Sequence, residues 1–318
     1  MDILKEIEKQ INSIKIEDNS IYLNQIFIHL DRAETYYKQG QNDQNYFNDV
    51  IYRSNQAYEG ALKEAYKVLA SKTDEELSKT TPHKIETHFK ENLIFKDRVL
   101  QLFENYRQEW RNKSTHDYKI IFDANEAFIA LINVSSFVHL LLKEIQESLA
   151  FKKEREKLQH EKVKLEELKN IVSNVSETLA EKTVKLLQEF TERSEFVNPK
   201  SLLFEVEILG KLHGFLSKSN EALITNREPK ILIDNEIFRP DFILEYGQEK
   251  LILEIKRYIE RPKLSGYIDQ MTRYIIAAKV RAGILYLIKA GEGKLEINIE
   301  QQEFYDGGHK CELYIVTT

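Results

Sequence analysis

The sequence predicts a helical bundle, a long connecting helix and a carboxy-terminal α/β domain with a mixed sheet. Apolar residues recur at three- and four-residue spacing through the first part of the chain, which is typical of amphipathic helices. The stretch 142–196 contains neither proline nor glycine. Short β-rich runs follow, separated by turn residues. We therefore divide the chain into residues 1–145, 146–197 and 198–318.

Four segments of the first domain carry the helical pattern. The last of them begins with Asp123 three residues ahead of Glu126, which predicts a capping box. The predicted segments are 22–39, 46–70, 81–111 with breaks, and 125–147.

The connecting stretch follows an approximate heptad that Lys182 interrupts. A single helix of about fifty residues would be about 75 Å long and could pair with a second subunit. The alternative is a set of shorter helices packed on the domains. The heptad positions are Leu165, Leu168, Val172, Val175, Leu179, Leu186 and Phe190.

The third domain contains a predicted hairpin around Gly247-Gln248, because Gly at the first central position favours a type II′ turn. Paired positions then sum to 495, so Asp241 faces Glu254. Side chains alternate along a strand, which places Asp241, Glu254 and Lys256 on one face. The other face carries Leu251, Leu253 and Ile255, whereas Ile252 lies on the same face as Glu254.

Two carboxylates directly opposite each other repel unless a cation lies between them. Hard divalent ions such as Mg²⁺ take carboxylate oxygens and keep water for a substrate phosphate, and we expect Mg²⁺ or Mn²⁺ here. Lys256 could orient or deprotonate the attacking water, or stabilise the developing phosphate charge. This chemistry is phosphodiester hydrolysis.

Pro240-Asp241 followed by Glu254-Ile255-Lys256 resembles the PD-(D/E)xK nuclease superfamily, which has the restriction-endonuclease-like fold. The resemblance implies a preceding helix at 201–216, with Glu205 as a further acidic metal ligand beside Asp241 and Glu254. It also implies a following helix at 266–279 and a core strand at 282–288. Gln270 and Tyr274 on that helix are similar to the Gln-xxx-Tyr signature of the exonuclease-like branch.

Basic residues outnumber acidic ones by nine to three between positions 250 and 289, although the whole chain has a net charge of −6. A basic segment around an acidic site is what binding of a phosphate backbone requires. We therefore expect Arg257 and Arg273 to bind substrate together with Gln270 and Tyr274. The alternatives are a solvated strand face, a polar pair at the edge of the core, and a positive helix surface without function.

Arg111 and His116 in the first domain are a second candidate site. On one continuous helix they would diverge by about 140°, so they converge only if the helix ends near Asn112 and the chain turns back. Arginine can hold a phosphate, and histidine can exchange the proton of a ribose 2′-hydroxyl. That pair suffices for metal-free RNA cleavage.

Arg111-Asn112 followed by His116, late in a helical bundle, resembles the HEPN domain with its Arg-x4-6-His motif. The segment 52–66 is also similar to that family, and its Glu59 could support the site. The resemblance implies a composite site across a homodimer, and many members are ribonucleases of antiviral defence or toxin systems. The alternatives are a helix-terminal arginine near an exposed histidine, or a HEPN fold kept only for dimerisation.

Composition predicts a soluble cytoplasmic protein without a membrane span. The chain is 42% hydrophobic and 31% charged, Cys311 is its only cysteine, and its first residues are charged. The apolar stretch 127–142 contains polar residues such as Asn133 and His139, so we expect it to fall short of a span. At the end, 294–299 and 311–317 predict two strands joined through Gly307-Gly308, with His309 as a loop residue.

The sequence thus predicts an antiviral defence nuclease whose partners are DNA, RNA, a second copy of itself and proteins of a defence operon. The third domain would hydrolyse DNA, and the first would cleave RNA. In one alternative, a catalytically inactive DNA-sensing domain gates the HEPN ribonuclease. In another, the chain is a non-enzymatic dimeric interaction protein.

Overall fold

The computed structural model describes residues 2–14, 22–92, 94–95, 97–111, 121–193, 205–233, 236–258, 264–289 and 297–318. The chain forms two compact units, 1–148 and 149–318. The first unit is helical, and the second combines helices with a mixed sheet. The predicted combination of a helical part and a carboxy-terminal mixed sheet is therefore confirmed.

The first unit contains the predicted helical segments and two further short helices, α1 and α4. Thr81 caps the helix that starts at Pro82. The predicted segment 81–111 is divided into two α-helices and a π-helical turn. Buried Tyr58 packs against the rings of Tyr106 and Phe137, each with a centroid separation of 4.9 Å. The elements are α1 Ile3–Ser13, α2 Leu23–Gly40, α3 Tyr46–Leu69, α4 Asp74–Ser78, α5 Pro82–Glu91, α6 Asp97–Tyr106, a π-helical turn Arg107–Arg111 and the first part of α7 Ala124–His160.

Helix α7 begins at the predicted capping box. The backbone N–H of Glu126 donates to Asp123 Oδ1 at 2.9 Å, and that of Asp123 donates to Glu126 Oε2 at 3.1 Å. Within the described residues, α7 is the one helix long and apolar enough to cross a membrane by length and composition alone. Its polar residues therefore do not bring it below that threshold, and the expectation that the stretch 127–142 is not a membrane span stays a prediction. Half of its most apolar window is buried, which is typical of a core helix in a soluble protein.

The predicted fifty-residue connecting helix is wrong, and the alternative of shorter packed helices is observed. Helix α7 ends at His160 and is followed by α8 Lys162–Ser173 and α9 Leu179–Thr191. Between them, Asn174 Oδ1 accepts from the backbone N–H of Ser176 at 3.1 Å, which favours a turn. Lys182 is buried and lies 4.7 Å from the centroid of the Tyr246 ring, so this position packs within the second unit.

Within its described residues, the second unit holds a six-stranded sheet in the order β1-β4-β5-β6-β8-β7 and a separate antiparallel pair of strands, β2-β3. The β5–β6 and β6–β8 pairs are parallel, while the other pairs are antiparallel. Its elements are α10 Glu205–Ser219, β1 Ile224–Arg227, β2 Ile231–Ile233, β3 Glu236–Phe238, β4 Phe242–Tyr246, β5 Glu249–Tyr258, α11 Leu264–Ala278, β6 Ala282–Lys289, β7 Asn298–Asp306 and β8 His309–Thr317.

The β4–β5 hairpin has the predicted register. Phe242 pairs with Leu253 and Tyr246 with Glu249, and Gly247 adopts the positive φ of +62° that its turn position requires. Leu251, Leu253 and Ile255 belong to the core shared with α8, α9 and α10. Ile252 packs on the other face with Met271 of α11, so the predicted division of faces is confirmed.

The last two strands form a longer hairpin than predicted. Its turn is Gly307-Gly308, with φ values of +54° and +80°, as the sequence indicates. Strand β7 begins at Asn298 instead of 294, and residues 294–296 lie outside the described part of the chain. His309 is the first residue of β8 and pairs with Asp306, so the prediction of a loop residue is wrong.

Candidate functional site

Asp241 and Glu254 lie side by side in the second unit. Asp241 immediately precedes β4, and Glu254 lies within β5. The backbone N–H of Asp241 donates to Glu254 Oε2 at 3.0 Å, and the backbone N–H of Ile255 donates to Asp241 Oδ2 at 2.7 Å. The hairpin backbone therefore fixes both carboxylates.

Lys256 and two residues of α11 complete this group. Lys256 Nζ donates to Glu254 Oε1 at 2.7 Å. Gln270 Nε2 lies 3.4 Å from the same oxygen and donates to the Tyr274 hydroxyl at 2.8 Å. We call these five residues, Asp241, Glu254, Lys256, Gln270 and Tyr274, the carboxylate cluster; the sequence predicted all of them.

Glu254 is only 3% exposed, and the other residues of the carboxylate cluster are partly buried. Burial and repulsion by Asp241 raise the pKa of Glu254, although Lys256 opposes that change. Burial also raises the pKa of Asp241, against the hydrogen bond from Ile255 and the attraction of Lys256. The two acids are thus held together at an electrostatic cost.

Lys256 remains an ammonium in this setting. Burial alone would lower its pKa, but Glu254, Asp241 and Glu205 together raise it above the usual value. A protonated amine cannot remove a proton from water. Of the roles expected for Lys256, this protonated form favours orientation of a nucleophile and stabilisation of developing negative charge.

Glu205 is exposed and is the first residue of α10. Its charge acts on Lys256, which places it in the surroundings of the carboxylate cluster. Nevertheless, in the described part of the chain no three His, Cys, Asp or Glu side chains lie together as ligands for a metal ion. The structure thus brings together two of the three predicted ligands.

Two adjacent carboxylates still fit a hard divalent cation. Mg²⁺ is commonly bound by one or two carboxylates and keeps several waters. Burial raises the pKa of both Asp241 and Glu254, and a bound cation would stabilise their charged forms. The donor set therefore suits Mg²⁺ or Mn²⁺.

The two predicted substrate-binding arginines lie outside the carboxylate cluster. Arg257 follows Lys256 on β5, so strand alternation directs it to the opposite face, and its partner in the register is Ile288 of the core with α8–α10. Arg273 is exposed on α11. Neither side chain hydrogen-bonds to a residue that the structure describes. Adjacency in sequence was not enough to place them at the site.

In the first unit, Arg111 ends the π-helical turn and contacts the predicted Glu59. Its Nε and Nη2 atoms donate to Glu59 Oε1 at 3.3 and 3.2 Å. Asn112 and His116 lie outside the described residues. The predicted pair of Arg111 and His116 therefore stays a prediction.

A polar network that the sequence did not indicate lies one turn before Arg111. Arg107 pairs with buried Glu86 at 2.7 Å and also contacts His83, and the Tyr58 hydroxyl donates to Glu86 at 2.5 Å. Burial raises the pKa of Glu86, while Tyr58 and Arg107 oppose that rise. The sequence signal that could have indicated this network is Arg107 itself, because it lies four residues before Arg111 and so on the same helix face.

Comparisons with models of known protein families, with curated proteins and with solved structures found no match.

Proposed function

We propose that the second unit is a metal-dependent nuclease that hydrolyses DNA phosphodiester bonds. The observation that carries this proposal is the carboxylate cluster, in which buried Glu254 and partly buried Asp241, both with a raised pKa, adjoin a protonated lysine. The order of a helix, the β4–β5 hairpin, a helix and a strand also agrees with the resemblance to the PD-(D/E)xK superfamily. That finer fold is part of the proposal.

In this proposal Asp241 and Glu254 hold Mg²⁺ or Mn²⁺, with Glu205 as a further candidate ligand. The bound ion would supply positive charge to polarise a phosphate oxygen or water. Lys256 orients the water and stabilises the negative charge that develops on the phosphate. Gln270 and Tyr274 form a hydrogen-bonded pair beside Glu254 and hold its orientation or contact the substrate strand.

We further propose that the first unit cleaves RNA without a metal through Arg111 and His116. The contact between Arg111 and Glu59 supports this, since an acid beside a guanidinium fixes its direction. Following the HEPN resemblance, we propose a homodimer, a cytoplasmic location and a role in antiviral defence with partner proteins of the same operon.

One observation favours a second candidate, in which the second unit senses DNA without cutting it. Glu254 already accepts from the Asp241 backbone, from Lys256 and from Gln270, and no third described ligand joins the pair. In that case the first unit is the only nuclease. Chelation separates the candidates, because RNA cleavage should survive EDTA and DNA cleavage should not.

The test uses purified full-length protein on single- and double-stranded DNA and RNA, with Mg²⁺, with Mn²⁺ and with EDTA. We expect Asp241→Asn and Lys256→Gln each to lower metal-dependent DNA cleavage by at least a hundredfold. Asp269→Asn is the matched control, because Asp269 is exposed on α11 next to Gln270. Unchanged DNA cleavage in both cluster variants would defeat the assignment.

A further inference from the structure

A cleft of about 520 Å³ lies at the other end of β5 from the carboxylate cluster. Lys250, which lines the cleft, lies at the start of β5. It is four residues before Glu254, and four residues of a strand span about 13 Å. The cleft is formed by the starts of α9, β5, β6 and β8. It is therefore separate from the proposed nuclease site.

The charge of this cleft is predominantly positive. Four basic side chains line it, against the acids Glu249 and Glu312. Glu249 is already engaged, since its Oε2 accepts from the backbone N–H of Leu179 at 2.8 Å. The basic residues, which we call the cationic cleft residues, are Lys250, Lys279, Arg281 and Lys310.

Two of these cations have no partner within the described part of the chain. Lys250 pairs with Glu245 at 2.9 Å, and Lys310 pairs with Glu303 and Glu312 at 2.7 and 3.1 Å. Lys279 and Arg281 are exposed and form no ion pair or side-chain hydrogen bond with the residues that the structure describes. They are available to bind an anion.

The backbone at Lys279 adds an independent observation. Lys279 directly follows α11 and has a φ of +53°. Its backbone N–H donates to Ile276 O at 3.1 Å, and the backbone N–H of Val280 donates to Ile275 O at 3.1 Å. This is a Schellman motif, whose left-handed position is normally occupied by glycine. A lysine is unfavourable there for the backbone, and residues held in such conformations cluster at functional sites.

Apolar residues also line the cleft. Leu179 and Ala180 line it from α9, and Leu251, Val280 and Ala282 line it from the sheet side. Its volume lies within the range of about 300–1,000 Å³ typical of small-molecule sites. Of these residues only Ala282 is partly exposed, so the open surface of the cleft comes mainly from its polar and charged side chains, which suits a phosphate-bearing ligand.

We propose that this cleft binds a phosphorylated ligand of nucleotide size, such as a nucleoside triphosphate, through Lys279 and Arg281. Guanidinium and ammonium groups donate charge-assisted hydrogen bonds to phosphate oxygens, so the phosphate chain would provide most of the binding. The proposal does not depend on the nuclease activity, because it involves none of the carboxylate cluster.

Titration calorimetry of the full-length protein in EDTA tests this, with ATP, pyrophosphate and adenosine as probes. We expect ATP and pyrophosphate to bind and to compete with each other, and adenosine alone not to bind. Binding should weaken as salt is raised. Absence of ATP binding would overturn the proposal.

The variants Lys279→Gly and Arg281→Gln should each weaken ATP binding at least tenfold. Lys279→Gly should fold at least as well as the wild type, because glycine suits the left-handed position. Lys169→Gln, which removes an exposed cation of α8, is the control and should bind normally. Wild-type affinity in both cleft variants would overturn the proposal, as would binding through these residues of a single-stranded oligonucleotide but not of ATP.

Discussion

At the scale of single residues, the burial of two adjacent acids links stability to pH. Burial raises the pKa of Asp241 and Glu254, and repulsion by Asp241 raises that of Glu254 further. An acid whose folded-state pKa is raised binds more protons in the folded state, so stability falls as pH rises from the ordinary carboxyl pKa through the raised value. We expect Asp241→Asn to raise the free energy of unfolding at pH 8 in EDTA by on the order of 1 kcal/mol. The asparagine oxygen can still accept from the backbone N–H of Ile255.

Thermal unfolding at pH 8 and pH 5 checks this prediction. The advantage of Asp241→Asn should shrink at pH 5, where the wild-type carboxyls are more protonated, and also when Mg²⁺ is added at pH 8. Asp269→Asn should show neither effect. An Asp241→Asn protein less stable than the wild type at pH 8 would show that the charged carboxylate is not costly in the folded state.

His213 provides a pH response of opposite sign. Burial, together with Arg227 and Arg155, lowers its pKa to about 4. The ring packs near those of Phe151 and Phe242, at centroid separations of 4.6 and 5.7 Å. The unfolded state therefore binds the proton first, and stability is lost as pH falls from about 6.5 to about 4.

We expect His213→Leu to remove this loss, which amounts to on the order of 3 kcal/mol over the full window. Denaturant titrations at pH 7 and pH 4.5 measure it as the difference in unfolding free energy between the two pH values. His160→Leu is the control, because His160 is an exposed histidine of the same unit. A pH dependence unchanged in His213→Leu would show that other groups control acid stability.

Among residues, the predictable contacts were those fixed by local periodicity. Strand alternation and the turn position were sufficient to bring Asp241, Glu254 and Lys256 together, and helical spacing paired Gln270 with Tyr274. The network of Tyr58, Glu86 and Arg107 depends on the packing of separate helices. No spacing rule reports such a contact.

At the scale of elements, the β4–β5 hairpin and helix α11 were predictable because each has a local signal. The connecting stretch was not, because a heptad describes one apolar face and does not say what that face contacts. Leu168, Val172 and Phe190 satisfy the heptad and are buried against the helices and sheet of their own unit. Exposed Val175, at 99%, lies in the turn that breaks the helix.

Helix α10 packs closely on α7 within the second unit, at Gly214. A Cβ atom there would approach the carbonyl oxygen of Phe151 to 2.6 Å and Glu154 Cβ to 3.2 Å. Because a backbone oxygen cannot move aside cheaply, we expect Gly214→Ala to destabilise the fold by about 1–3 kcal/mol.

Chemical denaturation measures this effect, and Gly266→Ala on α11 is the matched control. A Cβ at Gly266 would contact nothing within 4 Å, so alanine there should stabilise the helix by about 0.5–1 kcal/mol. Equal effects of the two substitutions would contradict the close approach of α10 to α7.

At the scale of the whole molecule, the two proposed activities use residues of different compact units. Arg111 and Glu59 belong to residues 1–148, and the carboxylate cluster belongs to residues 149–318. The chemistry also differs, because one site would use an arginine and a histidine while the other would use two acids and a divalent ion. The two sites should therefore respond separately to mutation and to chelation.

We expect Arg111→Ala to lower RNA cleavage by at least a hundredfold and to leave DNA cleavage within about twofold of the wild type, since the loss of a phosphate-binding guanidinium acts only at its own site. Asp241→Asn should do the reverse. Parallel assays on labelled RNA and DNA, with analytical ultracentrifugation of each variant, make the comparison.

If both substitutions abolish both activities while the oligomeric state is unchanged, the units are coupled, and the model of a DNA-sensing unit that gates the ribonuclease gains support. If neither activity exists and the dimer persists in the double variant, the chain is an interaction protein, because the dimer then depends on neither site.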